Sequence, residues 1–268
     1  RRALGGLLQT LDDTRAPAQA FSAATRLDEL LEADGAPSKQ RVTLWGRIAR
    51  LARHSEVDAP EAAIEALRRV LSVEPRNVGA LDALEELLEQ RERWQELVEL
   101  LEARSLHAED DRDQVRVRRR LATVRAERLG AVEEAVASWS EVLRRAPNDG
   151  EALQALASLH RRSENWPGLV ESLRSLVPLH ASAEATKPLR FELARVLARE
   201  LDQPREAADV ARRILDIEPH DLAELAELED LFRVAGAYQE AIRVLHKRAE
   251  LTEVLERHLA MVIDDEEH

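Results

Sequence analysis

Residues 62–101, AAIEALRRVLSVEPRNVGALDALEELLEQRERWQELVELL, recur when the chain is displaced by 72 positions. Pro75 falls on Pro147 and then Pro219, and Trp94 falls on Trp166 and then Tyr238. Ala63, Ala135 and Ala207 keep the same register, as do Leu84, Leu156 and Leu228. A fixed period of this size constrains the fold more than any single motif does. It requires a stack of like units, each burying its apolar face against its neighbours.

What fills the units follows from composition. Hydrophobic residues make up 44% of the 268 positions but aromatics only 3%, so the core is built from Leu, Ala, Val and Ile. Such residues suit closely packed helices. A net charge of −13 argues against nucleic-acid binding by bulk electrostatics. With no Cys there are no disulfides, thiolate metal sites or thiol nucleophiles. No apolar run approaches 18 residues, so no membrane-spanning helix and no signal peptide are expected, and the compartment stays open with a cytoplasmic one favoured.

In chain order, residues 1–37 read as two helices forming an incomplete or capping hairpin. The first rests on Leu7, Leu8 and Leu11 and the second on Ala20, Ala24, Leu27 and Leu31. Residues 38–251 read as six hairpins of a helix A and a helix B. The A helices span about 38–54, 77–92, 110–128, 149–163, 184–200 and 221–234. The B helices span about 60–74, 94–107, 132–146, 166–180, 204–218 and 238–251. Pro60, Pro167 and Pro204 sit in first turns, where a missing N–H is harmless. Asn77, Asn148 and Asp221 are the expected N-caps of the helices that follow, and Ser38 that of the first A helix. Gly130 and Gly236 mark A-to-B turns. Residues 252–268 read as the start of a further repeat or as a capping helix. Leu259-Ala260 looks like the Leu121-Ala122 and Leu193-Ala194 pairs, arriving six residues early, and suggests a parent chain that continues.

EAAIEALRRVLSVEPRN and GAYQEAIRVL are similar to tetratricopeptide repeats (TPRs), in which a small Ala, a bulky residue four on and a Pro at the end of helix B form the signature. Ala63, Leu67 and Pro75 fit it, as do Ala135, Trp139 and Pro147, while Ala207, Ala211 and Pro219 carry a small residue at the bulky position. The alternate hairpins resemble the family through LEELLEQRERWQEL, LASLHRRSENWPGL and LEDLFRVAGAYQEA, without the final Pro. The resemblance implies an all-α, right-handed superhelical solenoid whose A helices line a concave, ligand-binding surface. The family's groove positions then fall on Arg50 and Arg53 of the first A helix, and on Asp82, Glu86 and Glu89 of the second. They continue on Arg116, Arg119 and Thr123, on Gln154, Ser158 and Arg161, on Phe191, Arg195 and Arg199, and on Asp230 and Arg233.

No constellation for chemistry is evident. The eight His make no HExxH pair, no Gly-rich phosphate loop or GxSxG is present, and adjacent carboxylates such as Glu85-Glu86 point apart on a helix. No catalytic residue, metal site or cofactor is expected. Trp94 and Trp166 read as hairpin-packing residues, and the basic run QVRVRRRLATVRAER as a solvated face or part of the groove. Charge patterning says more, because the A-helix segments 38–54, 77–93, 110–129, 149–164, 184–200 and 220–235 carry net charges of +5, −3, +3, −1, +1 and −4. This alternation implies ion pairing between neighbouring repeats, a striped groove for a charged partner, or both. The function expected is a non-catalytic scaffold binding a protein or peptide segment. The alternatives are a structural spacer or oligomerisation arm of a larger protein, and, behind these, a helical-repeat subunit of an enzyme.

Overall fold

A computed structural model of the chain describes residues 16–108, 110–218 and 220–266, with side chains as far as residue 257. Among these residues there is no strand. The expected helix around Leu7, Leu8 and Leu11, and the residue Pro219, lie outside them. The first described helix is α1 (Pro17–Ala33), followed by α2 (Ser38–Ala52) and α3 (Pro60–Val73). Then come α4 (Val78–Gln90), α5 (Trp94–His107), α6 (Asp111–Glu127) and α7 (Val132–Arg145). The chain continues through α8 (Gly150–Arg162), α9 (Trp166–Leu176) and α10 (Lys187–Arg199) to α11 (Pro204–Leu215), α12 (Leu222–Val234) and α13 (Tyr238–Glu266). Two short 3₁₀ turns, Val177–Leu179 and Glu184–Thr186, join α9 to α10 where longer α-helices were expected. The architecture is all-α, and within each part of the chain successive helices pack as hairpins.

The helix boundaries follow from local chemistry. Asn77 accepts from the Ala80 amide, Asp149 from that of Ala152 and Asp221 from that of Glu224. The second of these corrects the expected cap from Asn148 to its neighbour, the residue whose side chain reaches the N3 amide. Ser38 likewise is the first helical residue and not a cap, with Pro37 preceding it. Pro60 and Pro204 open their helices and Pro167 follows in the first turn of α9. Left-handed residues occur at Asp58, Gly130 and Asp202, and at Glu92, Glu164 and Gly236, successive members of each set lying 72 positions apart. Helix starts at Val78, Gly150 and Leu222, at Trp94, Trp166 and Tyr238, and at Pro60, Val132 and Pro204 share that spacing. The helices starting at Ser38, Asp111 and Lys187 do not, so register slips in one helix of every four.

The chain divides into two compact units, residues 1–138 and 139–268, with the boundary inside α7. In the first, Ala20, Ala24 and Leu27 of α1 join Trp45, Ile64, Leu67, Leu84, Leu97 and Leu121 in one apolar cluster. In the second, Leu153, Leu169, Leu173, Leu197, Ile214, Leu228 and Phe232 form another. Trp94 and Trp166 are half-buried and each packs against the cluster of its unit, as expected of hairpin-packing residues, whereas Tyr238 in the third copy is 66% exposed. The tryptophans that are buried are Trp45 and Trp139. The last helix runs unbroken from Tyr238 to Glu266, so no new A helix begins between 251 and 259.

His160 on α8 packs against Gly168 on α9, where an added Cβ would lie 2.8 Å from the ring. Its Nδ1 is buried without a partner. Burial disfavours the imidazolium and pulls its pKa below the ordinary 6.5, with Glu171 acting weakly in the other direction. The unfolded chain therefore takes up this proton first as pH falls. Stability from this group is fully present above about pH 6.5 and is lost as pH falls through the depressed folded value. The urea midpoint of the native protein is expected to drop between pH 7 and 5, and His160→Gln to flatten that slope. Equal slopes for the two proteins would contradict the assignment.

Candidate functional site

The alternation of charge along the A helices becomes a ladder of ion pairs. Arg53, the C-cap of α2, pairs with Glu86 of α4. Arg120 of α6 reaches back to Glu89 at 2.5 Å and Glu85 at 3.6 Å on α4. In the second unit Arg161 of α8 pairs with Glu192 of α10 at 2.6 Å. Arg195 and Arg199 of α10 pair with Glu227 at 3.0 Å and Asp230 at 2.5 Å on α12. Arg233 also bonds Asp230, and these two guanidinium groups, Arg233 first, hold its carboxyl below the usual carboxylate range. The B helices are laced in the same way, through Arg68–Glu96, Arg174–Glu206 and Arg212–Glu240. Each exposed rung contributes ~0–1 kcal/mol, so the ladder aligns repeats more than it stabilises them.

Several expected groove residues are therefore engaged with neighbouring repeats. Arg53, Glu86, Glu89, Arg161, Arg195, Arg199 and Asp230 are rungs of the ladder. Asp82 accepts from Arg104, Arg116 pairs with Asp113 on its own helix, and Thr123 bonds the Arg119 carbonyl. Gln154 and Ser158 are exposed. Phe191 is 6% exposed and belongs to the apolar core, so it is not a surface residue. Arg119, 72 residues earlier, is itself half-buried, so this position borders the core: a long arginine there reaches out to water, whereas an apolar phenylalanine packs inward.

One cleft does gather expected residues. A cavity of about 740 Å³ opens between α2, α3 and α4. Val42, Gly46, Ala49, Leu67, Val70, Ala80 and Ala83 form its apolar floor, and Arg50, Arg53, His54, Thr43, Glu74 and Asn77 its polar border. On α2 these residues recur at steps of three and four, so one helix face supplies a whole wall. Gly46 holds the floor open, because a Cβ built there meets nothing within 4 Å. The size falls inside the ~300–1,000 Å³ range of ligand pockets.

Other polar centres were missed in the sequence. Asp28 of α1, 5% exposed, accepts from Arg41 at 2.7 Å, from the Trp45 indole at 2.8 Å and from Arg69 at 3.1 Å. Arg41 stacks 5.0 Å from the Trp45 ring centre and also bonds Glu32 at 2.9 Å. The Asp28 hydrogen bond, opposed by burial, keeps the Arg41 guanidinium above its ordinary pKa. The available signal was an acid on the apolar Ala20–Ala24–Leu27 face of α1. In the second unit, buried Lys187 reaches Glu224 at 3.0 Å and Glu184 at 3.1 Å, and His220 bonds the same Glu224 at 3.2 Å. Burial opposes the Lys187 charge, and the two carboxylates outweigh it and raise its pKa. Both networks are structural, closing helix junctions, and neither opens onto a cleft described above. Among the described residues no group of three His, Asp or Glu could hold a metal ion, and no helix is long and apolar enough to cross a membrane.

Residues 80–115, covering most of α4, all of α5 and the start of α6, match the tetratricopeptide repeat family. Among solved structures, a tetratricopeptide repeat protein from Parabacteroides merdae is 18% identical, with 78% of this chain and 78% of that chain covered at a TM-score of 0.41. MamA 41-end from Desulfovibrio magneticus RS-1 is 17% identical, with 66% of this chain and 94% of that chain covered at a TM-score of 0.40. No curated protein matches the sequence. By its hairpin architecture and by the matched stretch, the chain is a TPR-like helical repeat protein.

Proposed function

We propose that this chain is a non-catalytic protein-interaction scaffold that takes a segment of a partner protein in the α2–α3–α4 cleft. The observation that carries this reading is the apolar, glycine-opened floor bordered by Arg50, Arg53 and His54. A rigid array loses little conformational freedom on binding, so the ordering cost falls on the partner segment. The polar border at Arg50 and His54 then meets polar groups of that segment, and the floor meets its apolar side chains.

Gly46→Leu separates this reading from its rival. The leucine enters open space, so the fold tolerates it, and replacing a mid-helix glycine should stabilise α2 by up to ~1 kcal/mol. It also fills the cleft, and partner affinity is expected to fall at least about tenfold, equivalent to ~1.4 kcal/mol. Quantitative capture of partner from cell extract by native and Gly46→Leu protein, with melting temperatures of both, is the measurement. Equal capture by a stabilised variant would remove the cleft from the interface. The ion-pair ladder would then favour the second reading, a spacer whose charges only tie repeats together.

A further inference from the structure

The second compact unit holds an arginine cluster of which the ion-pair ladder takes only one member. Arg174 of α9, Arg190 of α10 and Arg213 of α11 line one cleft of about 100 Å³, with Val177, Leu193 and Val210 as its apolar walls. Each arginine stands three residues from one of these apolar groups, so three chain segments contribute the same pair of residue types to one point. Only Arg174 has a carboxylate, Glu206 of α11. Among the described residues Arg190 and Arg213 have no ion-pair partner, and the Arg190 Nε–H is buried without an acceptor. A buried charged donor left unsatisfied is unfavourable, and nearly all such groups in folded proteins find a partner.

The geometry points to a binding site for a single phosphate group. Three guanidinium groups and one carboxylate leave two positive charges around the cleft. A phosphate monoester carries ~−1.5 to −2 at pH 7 and offers three strong acceptors, so it matches the charge and can take the orphaned Arg190 N–H. A single carboxylate would neutralise only half of that charge. The cavity lies well below the ~300–1,000 Å³ of pockets that enclose a drug-sized molecule, so the site holds one oxyanion and its ester oxygen, not a nucleotide. The apolar walls thin the water around the charges and strengthen the contact. The group comes either as free phosphate or on a phosphorylated side chain of a partner, and the chemistry at the cleft is the same.

The test uses the full chain. Titration calorimetry and thermal melts are run with inorganic phosphate against chloride at matched ionic strength. The native protein is expected to bind phosphate saturably and to melt higher in its presence. Arg190→Met, which keeps the side-chain length and removes the orphaned donor, should weaken binding at least tenfold. Arg213→Gln, at an exposed position where misfolding is not at issue, should do the same. Arg144→Gln, at another exposed arginine of the same unit, should change nothing. No saturable phosphate binding, or binding that survives in both cleft variants, overturns the site. A phosphoserine peptide that binds tenfold tighter than inorganic phosphate would support a phosphorylated partner, and equal affinity would support the free ion. A glutamate-substituted peptide binding as tightly as the phosphopeptide would overturn the assignment to phosphate.

Discussion

Asp28→Ala is expected to destabilise the first unit by ~3–5 kcal/mol, the usual cost of breaking a buried ion pair from one side. Asp28 receives hydrogen bonds from Arg41, Trp45 and Arg69 at 2.7, 2.8 and 3.1 Å, and three elements meet at this carboxylate. Its loss strands the Arg41 guanidinium, whose side chain is only 7% exposed, with Glu32 as its remaining acid. Glu32 is 64% exposed, so its charge is well hydrated and compensates poorly. Urea unfolding at neutral pH should show the loss, and hydrogen exchange should accelerate first in α1 and α2. The double change Asp28→Leu with Arg41→Met removes both charges together and should recover most of the stability, since hydrophobic replacement of a buried pair is often neutral or better. A shift below ~1 kcal/mol for Asp28→Ala would mean that the pair is hydrated in solution and that α1 docks by its Ala20–Ala24–Leu27 face alone.

Trp139→Ala should cost a similar ~3–5 kcal/mol, whereas Trp94→Ala should cost about half as much. Trp139 is 3% exposed, while Trp94 is half-buried, with the Arg128 guanidinium 5.0 Å from its ring centre. That cation–π contact adds only ~0.5–1 kcal/mol at an exposed site. Comparison of the two urea midpoints decides the matter. Equal losses would mean that Trp94, packed at the edge of its cluster, contributes as much as a fully buried tryptophan. The positions equivalent to Trp139 are Leu67 and Ala211, 4% and 0% exposed, so each site is buried although the side chains differ greatly in size. Burial is thus a property of the repeat position, and volume is settled locally with the neighbours.

The sequence by itself determined the parts of this protein that depend on a few consecutive residues. Pro60 and Pro204 at helix starts, Asn77 and Asp221 as caps, and Gly130 and Gly236 in left-handed turns were all legible. The physical reason is that a cap or a positive φ is satisfied within one helical turn. The 72-residue recurrence added the hairpin order, because identical local signals produce identical local structure.

What joins distant residues was decided only by the tertiary structure. The alternation of A-helix charge pointed to pairing between repeats without excluding partner binding, and it was the side-by-side helices that made Arg161–Glu192 and Arg199–Asp230 rungs of a ladder. Phe191 was misplaced because its position borders the core, where the equivalent Arg119 is half-buried, and only the surrounding packing decides that an apolar side chain there is taken inside. Asp28, Arg41 and Arg69 carry no motif, and neither do Arg174, Arg190 and Arg213. Their meaning comes from the packing that brings helices together over tens of residues and withdraws water from between them. An ionisable group acquires its role from the acceptors and the exposure left to it, and both are set by the fold.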